Sequence, residues 1–147
     1  AFYNLARLSR ITGNSSTYDT AISTARTFHQ DVIKQPSSHS FFLAALDFAL
    51  GPSVEIVIAG DPDSNDTKAL LKALEDDYMP NKVVLVRTEE NIKKLVSLAP
   101  YTASQVMLDG KATAYVCVLK SCSFPTTDLK TMLENVHTKL GLERGNR

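Results

Sequence analysis

The hydrophobic pattern of the chain changes at Gly51-Pro52, and this change constrains the fold more than any other feature. Before it, apolar residues recur every three or four positions, which is the spacing of amphipathic helices. After it, short runs rich in β-branched residues alternate with helical patterns, the order expected of an α/β sheet. We therefore predict a helical segment over residues 1–51, a small α/β domain over 52–141 and a frayed polar tail over 142–147.

Three helices are predicted in the N-terminal segment. The first ends at Gly13, a residue type that favours the left-handed C-terminal cap, and the second runs from about Ser15 to just before Pro36. The third, FFLAALDFAL, is apolar on nearly every face and so needs neighbours all round. Because the first helix has an apolar start without a capping residue, we expect further helices of a longer protein to pack here.

Strand and helix patterns alternate after Pro52. VEIVIAG (54–60) and KVVLVR (82–87) are predicted strands, each followed by a helical stripe, which indicates a parallel pair joined by a right-handed crossover. Asp109-Gly110 is a hairpin turn signal between QVML and KATAYVCVL, and a last helix is predicted from about Asp128 to Gly141. The predicted class is α/β, with N-terminal helices followed by a small mixed, mainly parallel sheet with flanking helices.

Composition excludes some classes of partner. Sixteen basic residues balance sixteen acidic ones without a Lys/Arg cluster, so we predict no nucleic-acid binding. The longest apolar stretch covers positions 41–50, about half of the ~20 residues a membrane helix needs, so we predict no membrane span. Two cysteines are too few for a secreted disulfide scaffold and no secretory signal is visible, which favours the cytoplasm.

Three places lie at the carboxyl ends of predicted strands, where ligands of open α/β sheets usually bind: residues 60–63, 87–89 and 117–122. Asp61, Asp63 and Arg87 are therefore candidate cleft residues. The loop at Asp61 has too few glycines for a dinucleotide turn and lacks the glycine and glutamate of a calcium loop. Two hypotheses remain: Asp61 and Asp63 hold magnesium for phosphoryl transfer, or Asp63 and Asp66 simply cap the following helix.

Cys117 and Cys122 are the candidate thiol site, in the stretch AYVCVLKSC. The C-x4-C spacing differs from the C-x-x-C of redox motifs at a helix N-terminus, and the chain lacks the four paired ligands of a structural zinc site. A buried strand thiol at Cys117 and a more accessible one at Cys122 form the leading interpretation, with a reversible disulfide and a ligand role as alternatives. We predict no catalytic residue, metal site or cofactor from these motifs.

Several stretches together resemble one protein family. LAALDFALGPSVEIVIAGD, TKALLKAL, MPNKVVLV and GKATAYVCVLKSCSFPTTD resemble the C-terminal end of thioredoxin-domain-containing proteins of the spermatogenesis-associated type. In the last stretch Cys117, Cys122, Pro125, Thr127 and Asp128 fall on the family pattern. The resemblance implies an upstream thioredoxin-like domain and a six-hairpin α/α toroid similar to glycosidases and sugar epimerases, and it implies that residues 1–51 are the last helices of that toroid.

Three functional hypotheses follow from the residues and the resemblance. In the first, the chain is a non-catalytic C-terminal module whose partners are the toroid and the thioredoxin-like domain of the same protein, and it packs on the toroid. In the second, Cys117 and Cys122 exchange disulfides with the thioredoxin-like domain. In the third, Asp61 and Asp63 serve a magnesium-dependent phosphohydrolase. The biochemical role of the whole protein is unknown, and a dimer of the isolated chain through its apolar face would be an artefact of truncation.

Overall fold

The computed structural model describes residues 1–119 and 121–142. The predicted frayed tail therefore lies outside the described residues from position 143 onward. The α-helices are α1 (Phe2–Thr12), α2 (Ser15–Lys34), α3 (Ser40–Leu50), α4 (Asn65–Asp76), α5 (Ile92–Leu98) and α6 (Leu129–Leu140). The strands are β1 (Val54–Ala59), β2 (Lys82–Arg87), β3 (Thr113–Val118) and β4 (Ser121–Cys122). Among the described helices, none combines the length and the apolar character needed to cross a membrane.

The N-terminal helices begin and end largely where the sequence predicts. Helix α1 has no side-chain cap at its start and ends at Gly13, whose φ of 68° is left-handed. The cap of α2 is Asn14, whose side chain accepts a hydrogen bond from the backbone N–H of Thr17. Helix α3 follows a short 3₁₀ turn, Pro36–His39, and has no side-chain cap.

The four strands form one mixed sheet in the order β2-β1-β3-β4. Strands β1 and β2 are parallel, as predicted, with Val54 opposite Lys82. The sheet is not mainly parallel, however, because β3 runs antiparallel to β1 and β4 runs antiparallel to β3. The predicted turn at Asp109 and Gly110 forms with both φ angles positive, and β3 begins beside the carboxyl end of β1, where Thr113 pairs with Ala59. QVML contributes only a single bridge at Leu108, not a strand.

Strand β1 is buried along its whole length because helices cover both faces of the sheet. On one face α4 and α6 enclose the larger core, which contains Ile56, Ile58, Leu70, Leu74, Met132 and Val136. On the other face, Val83 of β2 belongs to the same apolar cluster as Phe2 and Phe48 of the N-terminal helices. Glu55 points to this second face, so a carboxylate lies between the helical segment and the sheet.

Candidate functional site

The reversed direction of β3 separates the sequence-predicted site residues into two groups. Cys117 pairs with Glu55 at the amino end of β1, whereas Arg87 pairs with Ala59 at its carboxyl end. Asp61 and Asp63 follow that carboxyl end. The expectation that all three polar places share one edge of the sheet is therefore wrong. It assumed that β3 is parallel to β1, and the structure brings the cysteines to the opposite end.

The polar side chains of the loop after β1 form contacts with neighbouring residues of the chain. Asp61 Oδ1 accepts a hydrogen bond from the backbone N–H of Asp63, and Lys68 Nζ lies 3.9 Å from Asp63 Oδ1 at the surface. Within residues 1–119 and 121–142, no three His, Cys, Asp or Glu side chains cluster in a way that could hold a metal ion. The geometry therefore gives the magnesium hypothesis no support.

Asp66, in the first turn of α4, has a defined structural role. Its Oδ2 accepts the backbone N–H of Ala112 at 2.8 Å, and its Oδ1 accepts that of Thr67 at 2.9 Å. The hydrogen bond with Ser64 and then the one from Ala112 lower the pKa of Asp66 to about 2. The carboxylate thus fastens the start of α4 to the residue before β3, a long-range contact that the sequence does not reveal.

Arg87 lies at the end of β2 and is half-buried. Its Nε is buried without a hydrogen-bond partner among the described residues. The nearby Asn91 closes the turn, since its side chain accepts from the N–H of Thr88 and donates to the carbonyl of Val86. These bonds define a turn that ends β2.

Cys117 and Cys122 form a disulfide, so they are not the two unpaired thiols of the leading interpretation. They are direct cross-strand partners of β3 and β4, and their Cα atoms lie 3.9 Å apart. Cys117 is 1% exposed, whereas Cys122 is exposed, which confirms the predicted difference in accessibility. Gln105, which is buried, donates from Nε2 to Cys117 Sγ at 3.8 Å. The sequence could not establish the pairing because it depends on the β3–β4 register.

A cavity of about 540 Å³ lies beside the buried end of this disulfide. Its walls come from the end of α1, the start of α2, the end of α3, the start of β1 and the end of β3. Cys117 lines the cavity together with Glu55, Arg10 and Tyr101. The cavity thus lies at the boundary between the helical segment and the sheet. Its volume is within the range of small-molecule pockets.

A buried ion pair forms the polar part of the cavity. Arg10 Nη1 lies 3.5 Å from Glu55 Oε1, with both side chains nearly inaccessible. Burial raises the pKa of Glu55 above 4.5, while the guanidinium of Arg10 acts in the opposite direction. The side chain of Glu55 is therefore less acidic than an exposed glutamate even though a cation lies next to it.

Further polar groups complete the lining. Tyr101 donates its hydroxyl hydrogen to the carbonyl of Ile11 at 3.1 Å, and burial, followed by the charge of Glu55, raises its pKa to about 12. Ser53 Oγ and Glu55 Oε2 are buried and have no hydrogen-bond partner among the described residues. Such atoms are rare in folded proteins, because each one costs about 1–3 kcal/mol if it stays unpaired.

Sequence reasoning missed Glu55, although a signal was present. Glu55 is the single charged residue in VEIVIAG, a run otherwise suited to complete burial. A glutamate in a strand that is buried on both faces needs a cation or a ligand beside it. The arrangement suits binding more than catalysis, because Arg10 already occupies one oxygen of the carboxylate and both side chains are largely removed from solvent.

Comparison with known proteins gives one consistent match. Over 126 residues, 86% of the chain, it is 32% identical to spermatogenesis-associated protein 20 of Homo sapiens. The proteins of that name from Rattus norvegicus and Mus musculus are each 30% identical over the same length. The chain spans 16% of the length of these curated relatives. No protein-family model matches it, and no solved structure is significantly similar. The resemblance seen in the sequence is therefore confirmed, and the chain matches the spermatogenesis-associated protein 20 family, consistent with a C-terminal segment of it.

Proposed function

We propose that the chain is a non-catalytic C-terminal module that packs, through the aromatic patch of its N-terminal helices, against the upstream toroid of a longer protein. The aromatic patch consists of Tyr3, Phe28, Phe41 and Phe42. The observation that carries the proposal is its exposure: Phe28 is 48% exposed and Phe41 is 71% exposed. Large apolar surfaces of this kind mark interaction sites in soluble proteins.

Two ring contacts connect the three helices within the patch. The rings of Tyr3 and Phe41 lie 5.5 Å apart, and those of Phe28 and Phe42 lie 6.4 Å apart, so α1, α2 and α3 all contribute. The segment exposes further aliphatic side chains. These are Leu8, Ile33, Leu43 and Leu50. Because the relatives are about five times as long as the chain, the proposed occupant is another part of the same polypeptide.

Hydroxyl-radical footprinting of the isolated chain and of the longer protein tests this proposal. We expect Phe28 and Phe41 to be several-fold less modified in the longer protein, because packing excludes the radical. Tyr78 and Phe124 are internal controls, since they are 87% and 94% exposed and lie in the α/β part. Equal modification of Phe41 in both proteins would contradict the proposal.

Oligomerisation of the isolated chain gives a second readout of the same surface. If the patch is an orphaned contact, the chain dimerises weakly through it, and Phe41→Ser raises the dimer dissociation constant at least tenfold. Phe124→Ser, which removes an equally exposed ring elsewhere, leaves the constant unchanged. A dimer that responds only to Phe124→Ser would place the contact in the α/β part and not on the helices.

The disulfide favours a second candidate function, thiol-disulfide exchange with the thioredoxin-like domain that the resemblance implies. A thiolate of that domain attacks the exposed Cys122 Sγ, the Cys117–Cys122 bond breaks, and Cys117 leaves as a thiolate. The second thiol of the domain then attacks the mixed disulfide and releases Cys122, so the domain is oxidised and this chain is reduced. The hydrogen bond from Gln105 to Cys117 Sγ supports this direction, because it stabilises the leaving thiolate.

Thiol labelling across glutathione buffers tests the exchange. We expect a reversible two-electron couple at roughly −200 to −300 mV, the range of exchanging cysteine pairs. Cys122→Ser is the control, since it removes the couple and leaves Cys117 inaccessible until the protein unfolds. A bond that stays oxidised at every buffer ratio would leave only a structural role for the pair.

A further inference from the structure

We propose that the cavity at Arg10 and Glu55 binds a small neutral molecule in which a carboxamide is joined to an apolar body. The proposal does not depend on the packing and thiol functions, since it rests on the Arg10–Glu55 ion pair and not on the aromatic patch or on Cys122. It rests on the buried polar atoms of the cavity, on the charge balance of its ion pair and on its apolar walls.

Two buried oxygen atoms lack partners in the cavity lining. Ser53 Oγ and Glu55 Oε2 are both buried and form no hydrogen bond of good geometry within the described residues, although the backbone N–H groups of Leu119 and of Glu55 itself approach the carboxylate. The two side chains lie two positions apart at the start of β1, and both line the same cavity. A carboxylate oxygen only accepts hydrogen bonds, so the missing partner must present an N–H or O–H donor.

The ion pair also supplies donors to a ligand. A guanidinium has five N–H donors, more than the single Glu55 oxygen in contact with Arg10 Nη1 can accept. The polar part of the cavity therefore offers an acceptor and a donor next to each other. A primary carboxamide has the complementary arrangement, because one N–H donates to Glu55 Oε2 and the other to Ser53 Oγ, while its carbonyl accepts from Arg10.

Charge decides between neutral and ionic ligands. The positive charge of Arg10 and the negative charge of Glu55 balance, and both are largely removed from water. An anion would lie against the carboxylate and a cation against the guanidinium, and each would lose its hydration without a free countercharge. A neutral ligand avoids that cost.

The remaining side chains of the cavity lining indicate what the apolar body of the ligand contacts. Leu50 and Leu119 border the cavity and are exposed, and Tyr18 adds a ring. Apolar walls around a few placed polar groups are the usual composition of small-molecule sites. An aromatic or aliphatic body of moderate size would cover these side chains while its amide reaches the ion pair.

Three probes of matched shape and different charge test the proposal: benzamide, benzoate and benzylamine. Each is titrated into the ¹⁵N-labelled chain at pH 7, and the backbone shifts are followed by NMR. We expect benzamide to shift Gly51, Ser53 and Leu119 with a dissociation constant on the order of 1 mM, as befits a fragment of this size. Benzoate and benzylamine should bind at least tenfold more weakly.

Glu55→Gln should reverse the preference between two probes, a change that would not follow if Glu55 had a purely structural role. With the carboxylate gone, Arg10 is the only charge in the pair, so benzoate should now bind more tightly than benzamide. Glu75→Gln, an exposed glutamate on α4, is the matched control and should keep the wild-type order. Ser53→Ala, which keeps the charges, should weaken benzamide about fivefold through the loss of one hydrogen bond.

Distinct results would overturn the proposal. The first is equal binding of all three probes to the wild-type chain. The second is a set of shifts outside the cavity lining, and the third is an unchanged probe order in Glu55→Gln. Ser53→Ala keeps the proposal falsifiable if Glu55→Gln does not fold, because unchanged benzamide binding in this variant contradicts the assigned site.

Discussion

Arg10 Nη1 lies 3.5 Å from Glu55 Oε1, and this contact joins helix α1 to the buried strand β1. Glu55 is also the cross-strand partner of Cys117, so one position of β1 connects the helical segment, the sheet and the disulfide. The sequence divides into two regions at Gly51-Pro52, but the ion pair and the shared apolar cluster at Val83 show that the two regions pack directly on one another.

Arg10→Ala should destabilise the chain strongly at pH 7. It leaves the Glu55 carboxylate buried without a cation, and breaking a buried pair from one side costs about 3 kcal/mol or more. Urea unfolding measures the change, with the exposed Arg26→Ala as a control expected to stay within about 0.5 kcal/mol of the wild type. A loss below about 1 kcal/mol for Arg10→Ala would mean that water reaches Glu55.

The pKa of Glu55 predicts a specific pH dependence. Because the folded-state pKa is raised above 4.5, the folded state binds its proton more tightly than the unfolded state. The stabilisation that this tighter proton binding gives the folded state is fully present below about pH 4.5. It is lost as the pH rises through the raised pKa of Glu55. Glu55→Gln does not titrate, so the free energy of unfolding of the wild type relative to this variant should fall between pH 4 and pH 7. A difference that is constant across this range would contradict the raised pKa.

Asp66 should show the opposite pH dependence. Its folded-state pKa of about 2 lies below the ordinary 3.8, so its stabilising effect is present above pH 3.8 and is lost as the pH falls through 2. Asp66→Asn should therefore lower the melting temperature at pH 7, and the difference from the wild type should shrink in acid. Asp19→Asn, at an exposed site, serves as the control. A melting-temperature difference that persists at pH 2 would assign the effect to geometry and not to charge.

Features that local chemistry determines are predictable from the sequence. Gly13 takes the left-handed cap conformation, Asp109 and Gly110 form the turn, and Asp128 caps α6 by accepting from the N–H of Thr131 at 2.8 Å. Each depends on residues within a few positions, so the pattern contains the required information. The family resemblance was also recognisable from the sequence, since it rests on short stretches of consecutive residues.

Features that depend on distant partners are not predictable in this way. The hairpin signal at Asp109-Gly110 does not say which strand β3 will join, so its antiparallel pairing with β1, and with it the position of the disulfide, emerged only from the fold. Tyr78 fits the apolar stripe of α4 but is 87% exposed, because the helix ends at Asp76. The cavity is assembled from five helices and strands and from the turn that carries Tyr101, and no single stretch of sequence encodes it.

Gly60→Ala should test how closely α4 approaches the end of β1. A Cβ at Gly60 would lie 2.2 Å from Thr67 Oγ1 and 3.2 Å from the Cβ of Ala112, and Thr67 is completely buried. The Thr67 side chain or the backbone must therefore shift, which for an overpacked core costs about 1–3 kcal/mol.

A double-mutant cycle with Thr67→Ala identifies the cause of that loss. Removing the hydroxyl removes the closest contact, so Gly60→Ala should cost measurably less in the Thr67→Ala background than in the wild type. Urea unfolding of the four proteins gives the coupling energy, which we expect to exceed about 0.5 kcal/mol. If Gly60→Ala costs the same in both backgrounds, the close approach of Thr67 is not what excludes a side chain at position 60, and the contact with Ala112 becomes the cause to examine.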